Sequence, residues 1–159
     1  MKILFIVNSM SFGGAEKQVL DLLIGLKNRG IQIHLVTLIV PTAFTHELKI
    51  NKINYSCLNL SQRNKKNIFA HYRAFLNLYR LVKKFQPEIV HSHLFHSNMY
   101  GRVISLFFKT KNISTIHSLI ENGNFRSILY RCSDWLCSTT VFVSDVSRLK
   151  YLRNKSVKQ

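Results

Sequence analysis

Three short segments gather the residue types that could do chemistry. The first is Ser11-Phe12-Gly13-Gly14-Ala15-Glu16, just ahead of an apolar stripe with helical spacing. Two adjacent glycines leave no Cβ to hold a ligand off the backbone, and N–H groups at a helix start face an anion, so a phosphate-bearing ligand suits this turn. A tight turn whose glycines serve geometry alone, with Glu16 complementing the helix dipole, satisfies the same residues. The second segment is His91-Ser92-His93, followed by His96. Strand alternation puts His91 and His93 on one side, which makes a metal site conceivable, but no carboxylate is close in sequence. We read one histidine as packing under the loop and another as hydrogen-bonding across it, and expect no metal. The third is Thr115-Ile116-His117-Ser118. A histidine there can donate to a phosphate or a sugar hydroxyl, or be a capped core histidine, and the local residues leave both readings open.

Each segment needs an element to hold it. Residues 2–7 form a continuous apolar run of strand length, and from Ala15 the apolar positions Val19, Leu22, Leu23 and Leu26 make one helical stripe ending at Gly30. Residues 31–40 and 55–60 read as further strands, with 42–54 ambiguous between them. Ile68, Tyr72, Phe75, Tyr79 and Val82 share one face of a second long helix, which Gln86-Pro87 ends because a residue before proline disfavours the helical region. Strands at 88–92, 113–117 and 140–144 then alternate with helices at 95–108 and 125–137, before a short basic helix. Strands apolar on both faces, alternating with helices, predict a single doubly wound α/β domain with a mostly parallel sheet. In such sheets ligands sit beyond the carboxyl ends of the strands, and the turns after Val7, Val90 and Ile116 are where the three segments fall.

Composition narrows the function classes. The 159 residues are 47% hydrophobic, enough for an ordinary core, with 23 Lys plus Arg against 7 Asp plus Glu, a net charge of +16. Clusters such as Arg63-Lys65-Lys66, Lys83-Lys84, Lys109-Lys111 and the tail from Arg148 through Lys155 to Lys158 predict an anionic partner. Without aromatic interleaving, nucleic acid is not expected, and an anionic membrane surface fits better. No apolar run approaches the roughly 18–20 residues of a spanning helix. The apolar start breaks at Asn8 with no small-residue cleavage site, so the chain is expected in the cytoplasm. Cys57, Cys132 and Cys137 read as reduced thiols filling the core. There is no G-x-G-x-x-G, no acid between Asp21 and Glu47 to hold a ribose, and no G-x-x-x-x-G-K-[ST], which disfavours a dehydrogenase and excludes a P-loop hydrolase.

A set of motifs in order then resembles one family. Lys2-Ile3-Leu4-Phe5-Ile6, Gly13-Gly14-Ala15-Glu16, the helix to Leu26 and Arg29-Gly30, the strand ending Val36-Thr37, Pro87-Glu88-Ile89-Val90-His91-Ser92-His93, Thr115-Ile116-His117-Ser118 and Val141-Phe142-Val143-Ser144-Asp145 are similar to the amino-terminal half of a family 4 glycosyltransferase, the retaining group with the two-domain GT-B fold. The resemblance covers nearly the whole chain. It implies that Gly13 and Gly14 approach the diphosphate of a nucleotide sugar, that His117 contacts the donor sugar or its phosphate as first choice for a catalytic role with His93 second, and that Asn8, Glu16 and His91 lie in the acceptor-side cleft. It implies no cofactor and no metal, with the nucleotide-diphosphate sugar as co-substrate, and an acceptor that is often a lipid-linked glycan at the membrane, as in bacterial surface polysaccharide synthesis. The family's second domain carries two glutamates eight residues apart, a pair that Glu16, Glu47, Glu88 and Glu121 do not supply. The expectation is therefore an acceptor half, inactive without a carboxyl-terminal donor domain, peripheral at the inner face of the cell membrane. A non-enzymatic basic module docking on an anionic membrane or a partner protein is the alternative, and other GT-B enzymes such as epimerases share the fold.

Overall fold

The computed structural model describes residues 1–60, 67–117, 124–154 and 156–157. Arg63, Lys65, Lys66, Ser118, Glu121, Lys155 and Lys158, which entered the reading above, lie outside them. Six strands form one sheet: β1 (Lys2–Val7), β2 (Gln32–Thr37), β3 (Asn54–Cys57), β4 (Ile89–His93), β5 (Lys111–Ile116) and β6 (Thr139–Phe142). The order is β3-β2-β1-β4-β5-β6, and every pairing is parallel. The helices are α1 (Gly14–Asn28), α2 (Thr45–Ile50), α3 (Ile68–Phe85), α4 (Phe95–Phe107), α5 (Asn124–Ser133) and α6 (Asp145–Arg153). A 3-10 turn, Asp134–Leu136, follows α5. The strand order reverses between β1 and β4, which opens a crevice at their carboxyl ends.

Alternation along β1 feeds two cores. Ile3, Phe5 and Val7 pack with Val19, Leu20 and Leu23 of α1 and Leu48 of α2, whereas Leu4 and Ile6 pack with Ala74, Leu78 and Val82 of α3 and Ile104 of α4. A third cluster of Phe95, Ile116, Tyr130 and Tyr151 ties α4, α5 and α6 to the end of β5.

Several expectations are corrected. The second strand stops at Thr37: Leu38 N still bonds the carbonyl of Val7 and Ile39 N that of Asn8, but the chain bends at these two residues. The ambiguous 42–54 stretch holds the short α2, which begins after Phe44 in the left-handed region at φ 58°. The expected helix 125–137 stops at Ser133, and its last turn tightens into the 3-10 turn Asp134–Leu136. On α3 the buried stripe is Ala74-Leu78-Val82, and Ile68 and Tyr72, expected on the core face, are exposed because the first turns of α3 reach past the edge of the core. The cysteines do not fill the core: Cys132 is exposed, Cys57 and Cys137 are half-buried, and all three are free thiols. Gln86 does end α3, in the left-handed region at φ 52° ahead of Pro87.

Candidate functional site

Register builds the site. Phe5 on β1 lies opposite His91 on β4, and His93 lies opposite Thr115 on β5, so Phe5, His91 and His93 share one face of the sheet. Phe5 packs against both imidazoles, at 5.0 Å from His91 and stacked at 6.0 Å on His93, and the two histidine rings are 4.3 Å apart. His91 Nε2 bonds Thr115 Oγ1 at 2.8 Å. His93 Nδ1 bonds Nε2 of His117, the residue directly after β5, at 2.9 Å. His93 is 3% exposed and its Nε2 has no partner, while His117 is half-buried and open to the crevice end of the strands.

Burial sets the charge state of this row. Desolvation, followed by His117, lowers His91 to about 4. Desolvation, then His91 and His117, pushes His93 lower still. His117 is lowered by burial but pulled back up by the carboxylate of Glu16. The row is therefore neutral at pH 7, with the exposed end, His117, facing an acid.

Glu16 reaches that position from the first turn of α1. Its Oε1 accepts from Ser11 Oγ at 3.2 Å, and its Oε2 lies 2.4 Å from where a Cβ on Gly13 would stand. A side chain at Gly13 would displace the folded-back Glu16 carboxylate from this position. Gly13 caps α1 with extended backbone and no side-chain hydrogen bond, and its carbonyl accepts the first helical bond from Lys17 N. Nothing lies within 4 Å of a Cβ placed on Gly14. Asn8 closes β1, its carbonyl held by Ile39 N.

The structure thus brings Asn8, Gly13, Gly14, Glu16, His91, His93 and His117 to the carboxyl ends of β1, β4 and β5. His96 stands apart, exposed in the first turn of α4 with its ring on the edge of Phe95. Among the described residues no group of three or more His, Cys, Asp or Glu is placed to hold a metal ion.

Three features were missed in the sequence. Phe12 is 88% exposed at the rim, its ring edge-on to Phe44 at 5.6 Å. Leu94 follows His93 at φ 70°, ψ 158°, a conformation costly for a branched side chain and held by Leu94 N to Thr115 O at 3.2 Å. Behind it lies a buried polar network. Asn98 Nδ2 donates to Thr115 O at 3.1 Å and Tyr130 OH at 2.9 Å, and the fully buried Arg102 donates to Ser114 Oγ at 3.3 Å, Tyr130 O at 3.0 Å and Ser133 Oγ at 2.9 Å. Arg102 also stands 3.8 Å from Asp134 and over the Tyr130 ring at 5.0 Å. Only the strand-end position of Leu94 was a signal for any of these.

The sequence profile described as Glycosyltransferase Family 4 matches residues 12–158. The chain belongs to that glycosyltransferase family. No curated protein matches it by sequence. Among solved structures, Anabaena HepE in complex with UDP and glucose superposes with a TM-score of 0.79 at 14% identity over 97% of this chain and 41% of that one. A glycosyltransferase from Rickettsia africae gives 0.80 at 17% over 98% and 40%, and the lipopolysaccharide outer core galactosyltransferase WaaB gives 0.74 at 17% over 100% and 45%. This family 4 chain spans less than half the length of the structures it matches, and at these identities the likeness establishes the shared GT-B half-fold.

Proposed function

We propose that this chain is the acceptor-binding half of a retaining, metal-independent glycosyltransferase that moves a sugar from a nucleotide-diphosphate sugar to a glycan acceptor, lipid-linked and at the inner face of the bacterial membrane, in surface polysaccharide synthesis. The observation that carries the reading is His117 held by buried His93 at the switch point, facing Glu16 and the Gly13-Gly14 start of α1. The UDP and UDP-glucose in the HepE structures support a nucleotide sugar as the donor.

In this reading the backbone N–H groups at the start of α1 take the departing diphosphate, and His117 donates to a donor oxygen as negative charge develops there. His93 is too buried to touch substrate and acts as a positioning residue. With the shared proton on His93 Nδ1, His117 accepts at Nε2 and keeps its own proton on Nδ1 for the ligand. Glu16 offsets part of the burial that would otherwise strip His117 of a proton. Asn8, Glu16 and His91 form the acceptor side of the cleft, and the acceptor hydroxyl attacks from the face the diphosphate leaves. A separate donor-binding domain supplies the nucleotide site.

The test is transfer of labelled sugar from a panel of nucleotide sugars by the polypeptide as its cell makes it. His117→Ala should lower kcat about 100-fold or more, the usual size for removing one transition-state donor, with EDTA without effect. His93→Phe, which keeps the stacking on Phe5, should lower kcat less and alter its pH profile. Unchanged turnover in His117→Ala overturns the site, and robust transfer by residues 1–159 with no added polypeptide overturns the half-enzyme.

A further inference from the structure

An apolar surface that neither core nor candidate site uses lies on the outside of α3 and α4. Ile68, Phe69 and Tyr72 in the first two turns of α3 are 76%, 75% and 62% exposed, and Phe107 of α4 is 59% exposed. Between the helices runs an open groove of about 270 Å³, lined by His71, Phe75, Met99, Tyr100 and Val103. Its floor is firm: His71 Nδ1 bonds Tyr100 OH at 2.8 Å, and Phe107 meets Phe75 and Tyr79 edge-on. Exposed aromatic clusters of this kind mark interaction surfaces.

Charge selects the partner. Phe69, Arg73 and Arg80 fall at i, i+4 and i+11 on α3, and Tyr72 and Lys83 are also i and i+11, so aromatic and cationic side chains run along one outward face. All five are exposed. Neither α3 nor α4 contains an Asp or Glu. A helix face with rings at one end, cations along it and no acid beside it has the make-up of an interfacial helix on anionic lipid. No helix among the described residues is long and apolar enough to cross a membrane, so such a contact is peripheral. The direction also fits: in a parallel sheet α3 starts at the carboxyl ends of the strands, so Phe69 and Tyr72 sit at the same end of the domain as His117.

We propose that the outer α3–α4 face seats the protein on an anionic lipid bilayer, with Phe69 and Tyr72 entering the boundary between headgroups and acyl chains and Arg73, Arg80 and Lys83 on the lipid phosphates. This deepens the function proposed above and rests on its membrane-side acceptor. The experiment is co-sedimentation of the protein with vesicles of phosphatidylcholine alone or mixed with phosphatidylglycerol. Binding should require phosphatidylglycerol and weaken steeply between about 150 mM and about 500 mM salt. The pair Phe69→Ser with Tyr72→Ser, and separately Arg73→Glu with Arg80→Glu, should each lower partitioning by about tenfold or more. Phe125→Ser, at an equally exposed aromatic on α5, should leave it unchanged. Circular dichroism melts confirm that the variants fold, and a variant that does not is replaced by Phe69→Gln alone. Equal loss in Phe125→Ser, or no loss in the α3 variants, overturns the assignment of this face. Absence of vesicle binding overturns the docking itself, as does light scattering in which the aromatic variant changes only a dimer to a monomer. Transfer to a soluble acceptor, expected at unchanged kcat in every α3 variant, reads the transferase proposal separately.

Discussion

On the β1–β3 side of the switch point the interior is apolar, and among the described residues Thr37 is the one buried polar side chain there. On the β4–β6 side the interior holds Ser92, His93, Asn98, Arg102, Asn112, Ser114 and Thr115, most of them in one connected set of hydrogen bonds. The first side is held by non-directional burial, which tolerates small shifts as long as volume is filled. The second is held by directional bonds that tolerate few. The difference follows the division of labour. The strand ends that carry His93 and His117 belong to the polar side, where a directional hydrogen bond fixes the imidazole's orientation as apolar packing alone does not. The apolar side supplies α1 as a rigid support for the Gly13-Gly14 turn.

The largest test of this contrast sets Arg102 against Leu78, each fully buried in its own half. Arg102→Ala removes the fork that joins Ser114, Tyr130 and Ser133 and leaves Asp134 without its cation, which should cost about 4 kcal/mol. Leu78→Ala should cost about 3 kcal/mol through lost burial and a cavity. The halves separate on repair. Leu78→Met should restore all but about 1 kcal/mol, because an unbranched apolar chain refills the space. Arg102→Lys should restore little, because a single ammonium cannot reach both Ser114 and Ser133. Urea unfolding of the four variants measures this, and a Lys variant as stable as the wild type would break the contrast.

Acid should act next. In the unfolded chain His91 takes a proton near pH 6.5, and in the folded chain only near pH 4. Between those values the unfolded state holds more protons, so stability present above pH 6.5 is lost as pH falls through that window, by about 3 kcal/mol from His91 when pH 4 is reached. His93, pushed lower, extends the loss to lower pH. Thermal melts between pH 7 and pH 4 should show the decline, and His91→Gln should flatten part of it. A stability unchanged down to pH 4.5 would mean that the row admits water or a counter-charge, and that this half is less closed than its hydrogen bonds indicate.

How far each half could be read in advance follows from the same physics. All six strands and five helices were legible as elements, because burial leaves a period in the sequence: Lys2–Val7 as a run, and Ile68, Tyr72, Phe75, Tyr79 and Val82 as a helical repeat that found α3 but set its buried stripe off Ala74-Leu78-Val82. The histidines and the Gly13-Gly14 turn were legible as types at strand ends, and through likeness to the family in their order. The pairing of His93 with His117 and of Asn98 and Arg102 with their partners was not. Those bonds join residues 12 to 32 positions apart, and no local pattern marks which serine or carbonyl an arginine will meet. The missed α2 has a related cause, since six residues are too few to display a period.

The smallest expected effect is the most direct comparison, because it places the same methyl group in both halves. Gly25 lies in the middle of α1, exposed, with nothing within 4 Å of a Cβ added there. Gly25→Ala should therefore stabilise by about 0.5–1 kcal/mol, the helix preference of alanine over glycine. Gly101 lies in the middle of α4, where the same Cβ would stand 2.8 Å from Ser92 Oγ, 3.0 Å from Ser92 Cβ and 3.0 Å from Asn112 Nδ2. Ser92 Oγ can turn away only by giving up its bond to Ile113 O, and its Cβ is fixed by β4. The overlap should exceed the helix gain, leaving Gly101→Ala destabilised by about 1 kcal/mol. Opposite signs in one pair of melts would show that α4 is seated on its strands by contact closer than any side chain permits. Two stabilised variants would mean that β4 and β5 yield easily at that point, and the tight seat inferred for His93 and His117 would lose its main support.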